Sequence, residues 1–505
     1  MTNRANIKRD GLIMSTLDDL VPQDHLVRTL EATIDWKFIY PLVKSLYSNF
    51  GRRSIDPVVL FKMIFINYTF GINSMRKTCE EIKVNIAYRW FLGISIYEDV
   101  PNYSTWSKNY QRRYKDSEVF DQIFNHIIKH GIDNGFIDTT TVFGDGTHRK
   151  ANANSRKATD KEVEIVAKAY EKELLEEINE ERAENGKKPF ESLDKKEYAF
   201  DEETGEEIEL KKTKHIKEST TDPECGLFHK GEKQKCFAYS HMTICDRYGY
   251  VLFNKVAPGN MHDSAIFSEI YNELIQKYEA IKNICLDAGF NTSPICHQIL
   301  TSGRVPFLPY KRPMTKKGFF KKYEYVYDEY LDVYICPNEK DLHYKTTNRE
   351  GYRVYESNPK DCEGCPFLSK CTQSKKHVKT ITRHVWESDR EEADYIRQTD
   401  EWKIVYPQRK ETIERVFADA KENHGMRFTR LKGLVKNQHE SLIIFSCHNL
   451  KKLGLDEEWA WMWANTRKGY WRTAHSPILL RTLSNDRLKR AGYPNFYDYY
   501  LQVTV

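Results

Sequence analysis

Apolar positions in the first 135 residues recur at the spacing of helices. The segment "DPVVLFKMIFINYTFG" is almost entirely apolar, and Asp56 and Pro57 stand where a helix cap and a first-turn residue belong. Two partly basic segments that follow, "SMRKTCEEIKVNIAYRWFLG" and "PNYSTWSKNYQRRYKD", are typical of a helix-turn-helix array. This pattern predicts an all-helical N-terminal domain.

Strand-like patterns replace the helical spacing after this domain. The segment "FIDTTTVFGDGTH" predicts a strand that ends in a Gly-Asp-Gly turn. The segment "CFAYSHMTICDRYGYVLFNKVAPGN" predicts two strands joined at Arg247-Tyr248-Gly249, and the helix "DSAIFSEIYNELIQKYEA" and the strand "NICLDAG" follow it. Strands followed by alternating helices and strands predict an α/β (mixed α+β) domain with a mixed sheet flanked by helices.

Two segments interrupt the α/β pattern. The first contains "TDKEVEIVAKAYEKELLEEINEERAENG", which opens with a Thr159-x-x-Glu162 capping box and stops at Asn185-Gly186, and therefore predicts one long helix. The second carries several cysteines. We expect this organisation along the chain: a helical N-terminal domain at 1–135, a core at 136–311 with a charged helical insertion at 150–225, a cysteine-bearing insertion at 312–405, closing core helices at 406–453, and a tail of unassigned role at 454–505.

Composition narrows the classes of protein that fit this pattern. The 505 residues, 40% of them hydrophobic, allow about two to four domains with sizeable cores. A net charge of +5 permits a nucleic-acid partner without requiring one. The N-terminus lacks the apolar region of a signal peptide and the longest apolar runs are short or interrupted by charge, so we expect a soluble intracellular protein that does not enter a membrane. Eleven cysteines then favour reduced thiols or metal ligation over a disulfide framework.

Three acidic residues are candidates for metal binding. Asp145 is predicted to end the first strand between two glycines, Asp287 to end a buried strand, and Glu414 to lie on a late helix. A single Asp at a strand end is usually a turn former or a helix cap. Carboxylates converging from separate elements are what two divalent cations about 4 Å apart need for phosphoryl transfer. Without cations, such crowded carboxylates would raise each other's pKa.

The late helix "ETIERVFADAK" places a carboxylate and a cation on one face. Glu414, Phe417 and Lys421 stand at positions i, i+3 and i+7, which fall on one helical stripe. Positions i and i+7 lie about 10.5 Å apart along the axis, too far for a direct salt bridge. The pattern therefore favours separate partners, a metal for Glu414 and a phosphate for Lys421.

Four of the cysteines have spacing suited to a metal. They are Cys336, Cys362, Cys365 and Cys371, which include a C-x₂-C knuckle and fit a structural Zn²⁺ site. The spacing to the last thiol is loose for a zinc finger, and the Cys-Pro after the knuckle also suits iron–sulfur ligation, so iron–sulfur and free thiols remain alternatives. The other seven stand in apolar contexts that are typical of core residues: Cys79, Cys225, Cys236, Cys245, Cys285, Cys296 and Cys447.

Several of these segments together resemble the DDE-type transposases of bacterial insertion sequences, which have a ribonuclease-H-like catalytic core. The likeness is carried by "VFGDGTHRKANAN", "VAPGNMHDS", "CLDAGF", "YPQRKETIERVFADAKENHGMRFTRLKGL" and "FSCHNLKKL", and by the N-terminal "GRRSIDPVVLFKMIFINYTFG". It covers residues 15–453. A cysteine cluster between the second Asp and the Glu is also frequent in that family.

The resemblance implies a role for each matching residue. Asp145, Asp287 and Glu414 would be the triad that binds two Mg²⁺ or Mn²⁺ ions. Glu411, one turn earlier, is the competing acid, but the spacing to Lys421 favours Glu414. The residues that would hold the phosphate of the transposon end are Tyr406, Arg409 and Lys421, although Arg409 stands one position farther from the Glu than in the tightest form of the family signature.

Two further groups complete the predicted site. His262 and Asp263 follow "PGN" and would lie near the metal or contact DNA, with helix capping by Asp263 as the alternative. Lys108, Arg112 and Arg113 form a basic face of the N-terminal domain, which is either a DNA contact or a solvated helix face.

The resemblance implies a transposase that cuts its terminal inverted repeats and joins the freed 3′-OH ends to target DNA. It would work as a homodimer on paired DNA ends, in the bacterial cytoplasm and associated with the nucleoid. A metal-dependent nuclease with the same core, and a non-catalytic DNA-binding descendant, remain the alternatives.

Overall fold

A computed structural model of the chain describes residues 14–466, except for 49, 52–53, 73, 155, 165–169, 194–196, 201–206, 211–212, 231–233 and 313–314. Most of the tail of unassigned role, residues 467–505, lies outside the described part. The chain forms two compact units. The helical unit comprises the residues up to Asp138, Tyr248–Asn254 and the residues from Glu414 onward, and the α/β unit comprises Thr139–Arg247 and Lys255–Ile413.

The described helices are α1 Leu17–Leu20, α2 Leu26–Thr33, α3 Ile39–Val43, α4 Pro57–Thr69, α5 Met75–Val84, α6 Ile86–Leu92, α7 Tyr103–Asn109, α8 Val119–Asp133, α9 Glu171–Glu184, α10 Asp263–Lys277, α11 Ser293–Thr301, α12 Pro359–Cys362, α13 Leu368–Cys371, α14 Glu387–Ile396, α15 Asp400–Val405, α16 Ile413–Glu422 and α17 Leu434–Thr466. None of these helices combines the length and the apolar composition that a bilayer crossing requires.

The described strands are β1 Thr141–Lys150, β2 Ala158–Glu164, β3 Glu197–Phe200, β4 Glu207–Leu210, β5 Thr213–Ser219, β6 Gly226–Lys230, β7 Gln234–Asp246, β8 Val251–Pro258, β9 Asn283–Cys285, β10 Val305–Phe307, β11 Val326–Asp328, β12 Val333–Ile335, β13 Asp341–Thr347, β14 Tyr352–Ser357 and β15 Thr380–His384.

Helix α4 lies in the core of the helical unit. Asp56 accepts a hydrogen bond from the backbone N–H two residues on at 2.7 Å, and Pro57 is the first helical residue, so the predicted start of this helix is confirmed. Its residues are buried on nearly all sides. Trp36 packs edge-on against Phe65 and Phe91, with ring centroids 4.9 and 5.4 Å away. A helix that is apolar all round is stable only where neighbours cover every face.

Helix α17 binds the segment 248–254 into the helical unit. The Asn449 side chain accepts from the Val251 N–H at 2.8 Å and donates to the Val251 carbonyl at 2.7 Å. The Tyr250 hydroxyl donates to Asp456. The motif "FSCHNLKKL", predicted to be core packing, therefore also supplies the hydrogen bonds that a strand partner would otherwise provide.

The α/β unit is built on a six-stranded mixed sheet with the order β10-β9-β1-β7-β6, and β8 also pairs with β7. β1 runs antiparallel to β7 and parallel to β9, and β9 runs parallel to β10. The sheet confirms the predicted mixed α/β class. The predicted hairpin is also confirmed, because β7 and β8 flank Arg247-Tyr248-Gly249 and Gly249 has φ of 85°.

The two predicted insertions pack against each other. The cysteine-bearing segment forms a five-stranded antiparallel sheet in the order β11-β12-β13-β14-β15. Leu174 and Ile178 of α9 form a buried cluster with Val385 and Trp386, which follow the last of these strands. Arg182 of α9 donates to the Thr347 carbonyl at 2.8 Å.

Two local predictions are wrong. The long helix expected from Thr159 begins only at Glu171, because residues 158–164 form β2 and pair with β5. Pairing with a distant strand here outweighs local helix preference. The strand that was expected to end at Gly-Asp-Gly continues to Lys150, since these residues pair with β7 without interruption.

One buried histidine of the helical unit is held uncharged. The ring of His439 on α17 stacks on Phe120 at 4.4 Å, and the Tyr110 hydroxyl lies 3.0 Å from its Nδ1 atom. Burial lowers the pKa of His439 to about 4, and Asp116 offsets only part of this effect. The folded state therefore favours the neutral ring.

We predict an acid-dependent loss of stability that His439 controls. In the unfolded state His439 is protonated below its ordinary pKa of about 6.5, whereas in the folded state it is protonated only below about 4. The free energy of unfolding therefore falls by up to about 3 kcal/mol as the pH is lowered across that interval. Urea unfolding of the wild-type protein and of His439→Phe should show a shallower pH slope for the variant. The exposed His377→Phe is the control and should keep the wild-type slope.

Candidate active site

Asp145 lies on β1, and Asp287 lies two residues after the end of the adjacent parallel strand β9. Phe143 of β1 pairs with Cys285 of β9, and each aspartate stands two residues beyond its member of this pair. Side chains two positions apart share one face of a sheet, and neighbouring strands lie about 4.8 Å apart. The register therefore puts both carboxylates on the same side of the sheet.

The glycines around Asp145 make room for packing rather than for a turn. A Cβ on Gly144 would lie 2.6 Å from Leu286 and 2.8 Å from Ile244. A Cβ on Gly146 would overlap the Asp263 carboxylate. Glycine within a strand often marks such a close approach. Gly146 thus allows a third carboxylate to come next to Asp145.

Asp263 belongs to this acidic group and is not a helix cap. The cap of α10 is His262, which is exposed and whose Nδ1 accepts from the Ser264 N–H at 3.3 Å, so the capping alternative for Asp263 is wrong. Asp263 instead accepts a hydrogen bond from the Ser240 hydroxyl of β7 at 2.8 Å.

Arg409 provides the positive charge nearest to these acids that the structure describes. Its Nη2 atom lies 3.0 Å from Asp145 Oδ2 and 3.4 Å from the Gly144 carbonyl, and the side chain is buried. Its Nε atom has no acceptor among the described residues. Arg409 stands in a short 3₁₀ helix, Tyr406–Glu411, whose first residue stacks on Trp402 at 4.6 Å.

Burial and like charge raise the pKa of Asp145 to about 6. Desolvation is the main cause, Arg409 opposes it, and Asp287 and Asp263 add to it. Burial also raises the pKa of Tyr406, and Asp287 raises it further, so this phenol faces the same acids. A cluster of this kind stabilises added positive charge.

The acids have oxygen donors of the type that Mg²⁺ prefers. In the described part of the chain, however, Asp145, Asp287 and Asp263 do not form a group whose ligand oxygens all lie within 4.8 Å of one another. Asp145 points to Arg409 instead. A cation at Asp145 would therefore compete with this guanidinium.

Glu414 and Lys421 belong to the helical unit. Glu414 is exposed in the first turn of α16, Phe417 is buried, and the Lys421 Nζ atom lies 5.8 Å from the Phe417 ring centroid. The predicted stripe of Glu414, Phe417 and Lys421 therefore lies on one helix. Glu411 is outside this helix, at the end of the preceding 3₁₀ helix.

The basic face predicted in the N-terminal domain is only partly open. Lys108 and Arg112 are exposed. Arg113 is half-buried, donates to Asn109, and lies with its Cζ atom 4.5 Å from the Tyr47 ring centroid. Packing therefore occupies Arg113, whereas Lys108 and Arg112 are available to a partner.

The four clustered cysteines line one small cavity of the five-stranded sheet insertion. Cys336 Sγ accepts from the backbone N–H groups of Asn338 and Lys340, both at 3.4 Å. The Tyr325 hydroxyl lies 3.2 Å from Cys371 Sγ. All eleven cysteines are free thiols in the structure, and six of the seven outside this cluster are buried, Cys236 being half-buried.

Comparison with known protein families gives two matches. A family described as "Transposase domain (DUF772)" matches residues 15–112, and one described as "Transposase DDE domain" matches residues 335–454. No curated protein matches the chain significantly. The first match covers α1–α7, and the second covers the segment that carries Arg409, Glu414 and α17 up to residue 454. These two matches indicate a DDE-type transposase.

Proposed function

We propose that this protein binds the terminal inverted repeats of its own element, cleaves DNA at the ends and joins the 3′-OH ends to target DNA. The observation that carries this proposal is the pairing of β1 with β9, which brings Asp145 near Asp287, with Asp263 next to Asp145. These carboxylates would hold two divalent cations, whose chemistry would be to activate the attacking hydroxyl and to stabilise the leaving oxygen.

In this proposal Arg409 and Tyr406 bind the DNA strand at the acidic site. Arg409 neutralises Asp145 until cations and the DNA phosphate arrive, and can then donate to that phosphate. Tyr406 positions the DNA strand with its ring fixed against Trp402.

Glu414 is proposed as the third acid on the basis of the chain itself. Only four residues separate it from Arg409. Five virtual bonds span at most about 18 Å, so Glu414 stays within that distance of Arg409 whatever the arrangement of the two units. Lys421, two turns along the same face of α16, would contact the DNA backbone.

Lys108 and Arg112 are proposed to bind DNA phosphates in the N-terminal domain, which would make binding of the ends salt-dependent. Strand transfer needs both ends of the element together, so we propose that the protein acts as a dimer on DNA. A structural Zn²⁺ is proposed for the four thiols, supported by the N–H donors on Cys336, which fit a thiolate.

Loss of any one acid should abolish chemistry but not DNA binding. We predict that Asp145→Asn, Asp287→Asn and Glu414→Gln each lower the rates of end cleavage and strand joining by more than about 100-fold, because even the outer-shell partners of metal ligands are worth 10–100-fold. The assay uses full-length protein, Mg²⁺ or Mn²⁺, and DNA carrying the inverted repeat, with end binding measured separately.

The control for these variants is Glu411→Gln, an exposed acid on the preceding 3₁₀ helix, which should retain cleavage. Normal cleavage by one of the three acid variants would remove that residue from the site. Cleavage of DNA that lacks the repeat, with no joined product, would instead indicate a nuclease. End binding without any cleavage by the wild-type protein would indicate a non-catalytic descendant.

Removing Arg409 should make stability depend on divalent cations. In Arg409→Ala the Asp145 carboxylate loses its guanidinium partner. In the presence of chelator, we expect the free energy of unfolding to fall by about 2 kcal/mol. This is less than the 3–5 kcal/mol typical of breaking a fully buried pair, because the Asp145 carboxylate is 24% exposed. Added Mg²⁺ should restore more stability to the variant than to the wild type. Denaturant unfolding with and without Mg²⁺ measures both effects, and Lys410→Ala serves as the exposed control. Equal Mg²⁺ responses in all three proteins would contradict the pairing of Arg409 with the metal site.

The cysteine cluster is tested by a difference in metal content. We expect the wild-type protein to carry one more Zn²⁺ per chain than Cys365→Ser, measured by elemental analysis after purification. Cys79→Ser, at a buried thiol outside the cluster, should keep the wild-type content. Iron in place of zinc would favour the iron–sulfur alternative, and no difference between the proteins would favour free thiols.

A further inference from the structure

A second group of metal-ligating side chains lies entirely within the helical unit. It consists of Asp419 on α16, His424 just after that helix, and His448 on α17. One ligand atom from each residue lies within 4.8 Å of the other two. Asp419 Oδ2 is 3.1 Å from His424 Nε2 and 2.7 Å from His448 Nδ1. His424 is fully buried, His448 is nearly so, and Asp419 is 28% exposed.

The backbone fixes which nitrogen of each ring carries its proton. His424 Nδ1 lies 2.9 Å from the Tyr68 carbonyl, and His448 Nε2 lies 3.0 Å from the Gly249 carbonyl. A carbonyl oxygen only accepts, so each of these nitrogens is the donor. In a neutral imidazole the other nitrogen then has a lone pair, and in both rings that nitrogen is the one facing Asp419. Metal-binding histidines adopt this arrangement, with the distal N–H donated to a carbonyl or carboxylate.

The number of protons does not match the number of contacts. The two rings make four close contacts with oxygen acceptors. Two neutral rings supply two protons, and an ionised carboxylate supplies none. Even a protonated Asp419 would satisfy only one more contact. The two remaining contacts are satisfied either by one further proton on each ring or by one divalent cation at a single position.

The Asp419 carboxylate also accepts an outer hydrogen bond, as metal-ligating carboxylates do. Asn423 donates to Asp419 Oδ1 at 2.7 Å and leaves Oδ2 to the histidines. All three side chains thus have an outer hydrogen bond, to Tyr68, Gly249 and Asn423, that fixes the direction of the ligand atom.

We propose that Asp419, His424 and His448 bind one divalent transition-metal ion of the zinc class. Two imidazoles and a carboxylate suit Zn²⁺ better than Mg²⁺, which prefers oxygen ligands. The partly exposed Asp419 leaves access for water as a fourth ligand.

This site is separate from the acid on the same helix. Asp419 stands five positions after Glu414, which is about 140° around the helix and 7.5 Å along it. The ion would join α16, the end of α4 and α17, and would fix the helix on which Glu414 stands. This consequence for catalysis rests on the proposed function, whereas metal binding does not.

The test uses full-length Asp145→Asn protein, so that the outcome is independent of DNA chemistry. The probe is Co²⁺, whose visible absorption distinguishes nitrogen and oxygen ligands from thiolates. When Asp419→Asn is added to this protein, we expect it to bind one equivalent of Co²⁺ fewer, because the Co²⁺ affinity of this site falls at least about 100-fold. The difference between the two Co²⁺ absorption spectra should lack thiolate bands. The matched control is His439→Asn, a buried histidine of α17 outside the cluster, which should keep this equivalent.

X-ray absorption of the zinc-loaded Asp145→Asn protein provides a second readout that needs no variant at the cluster. We expect imidazole scattering with Zn–N distances of about 2.0–2.1 Å. A spectrum with sulfur ligands alone, or equal Co²⁺ binding with and without Asp419→Asn, would overturn the proposal. Because neither readout measures cleavage, an inactive transposase with a loaded site would reject only the proposed function.

Discussion

The parallel pairing of β1 with β9 is the constraint on which the active site depends. It aligns Phe143 with Cys285 and thereby brings Asp145 and Asp287 to the same level of the sheet. A shift of one residue in this register would turn Asp287 to the opposite face. The apolar side chains of Ile284 and Leu286, both fully buried, oppose such a shift because it would expose them. The buried side chains of β9 and of the residue after it thus fix the position of Asp287 relative to Asp145.

This alignment brings the carboxylates of Asp145 and Asp287 near each other, and Arg409 offsets part of their repulsion. The arginine comes from a segment more than 260 residues after Asp145 and is buried against it. A fixed guanidinium makes the folded protein stable without metal, at the cost of competing with metal for the same carboxylate. The pKa of Asp145 stays raised even so, because Arg409 offsets only part of the effect of burial and of the neighbouring acids.

Features set by neighbours in sequence could be predicted. The start of α4 at Asp56-Pro57 and the hairpin between β7 and β8 depend on residues a few positions apart. The mixed sheet could be predicted from the order of strands and helices. The family segments were recognisable because several short motifs occur in one order.

Features set by distant partners could not be predicted. Residues 158–164 become a strand only because β5 pairs with them. The glycines at 144 and 146 have a turn-like sequence, yet their space is filled by Leu286, Ile244 and Asp263. The Asp419 cluster depends on two backbone carbonyls in other segments, and the sequence gives no sign of where a carbonyl will point. The pairing of Arg409 with Asp145 is of the same kind.

The two cysteines beside Phe143 are shielded from reagents in solution. Cys245 and Cys285 both pair with Phe143, and burial raises the pKa of each thiol well above its usual value. Both sulfurs are fully buried, so soft ions in solution cannot reach these thiols in the folded protein. Alkylating reagents should likewise pass over these two sulfurs in the folded protein.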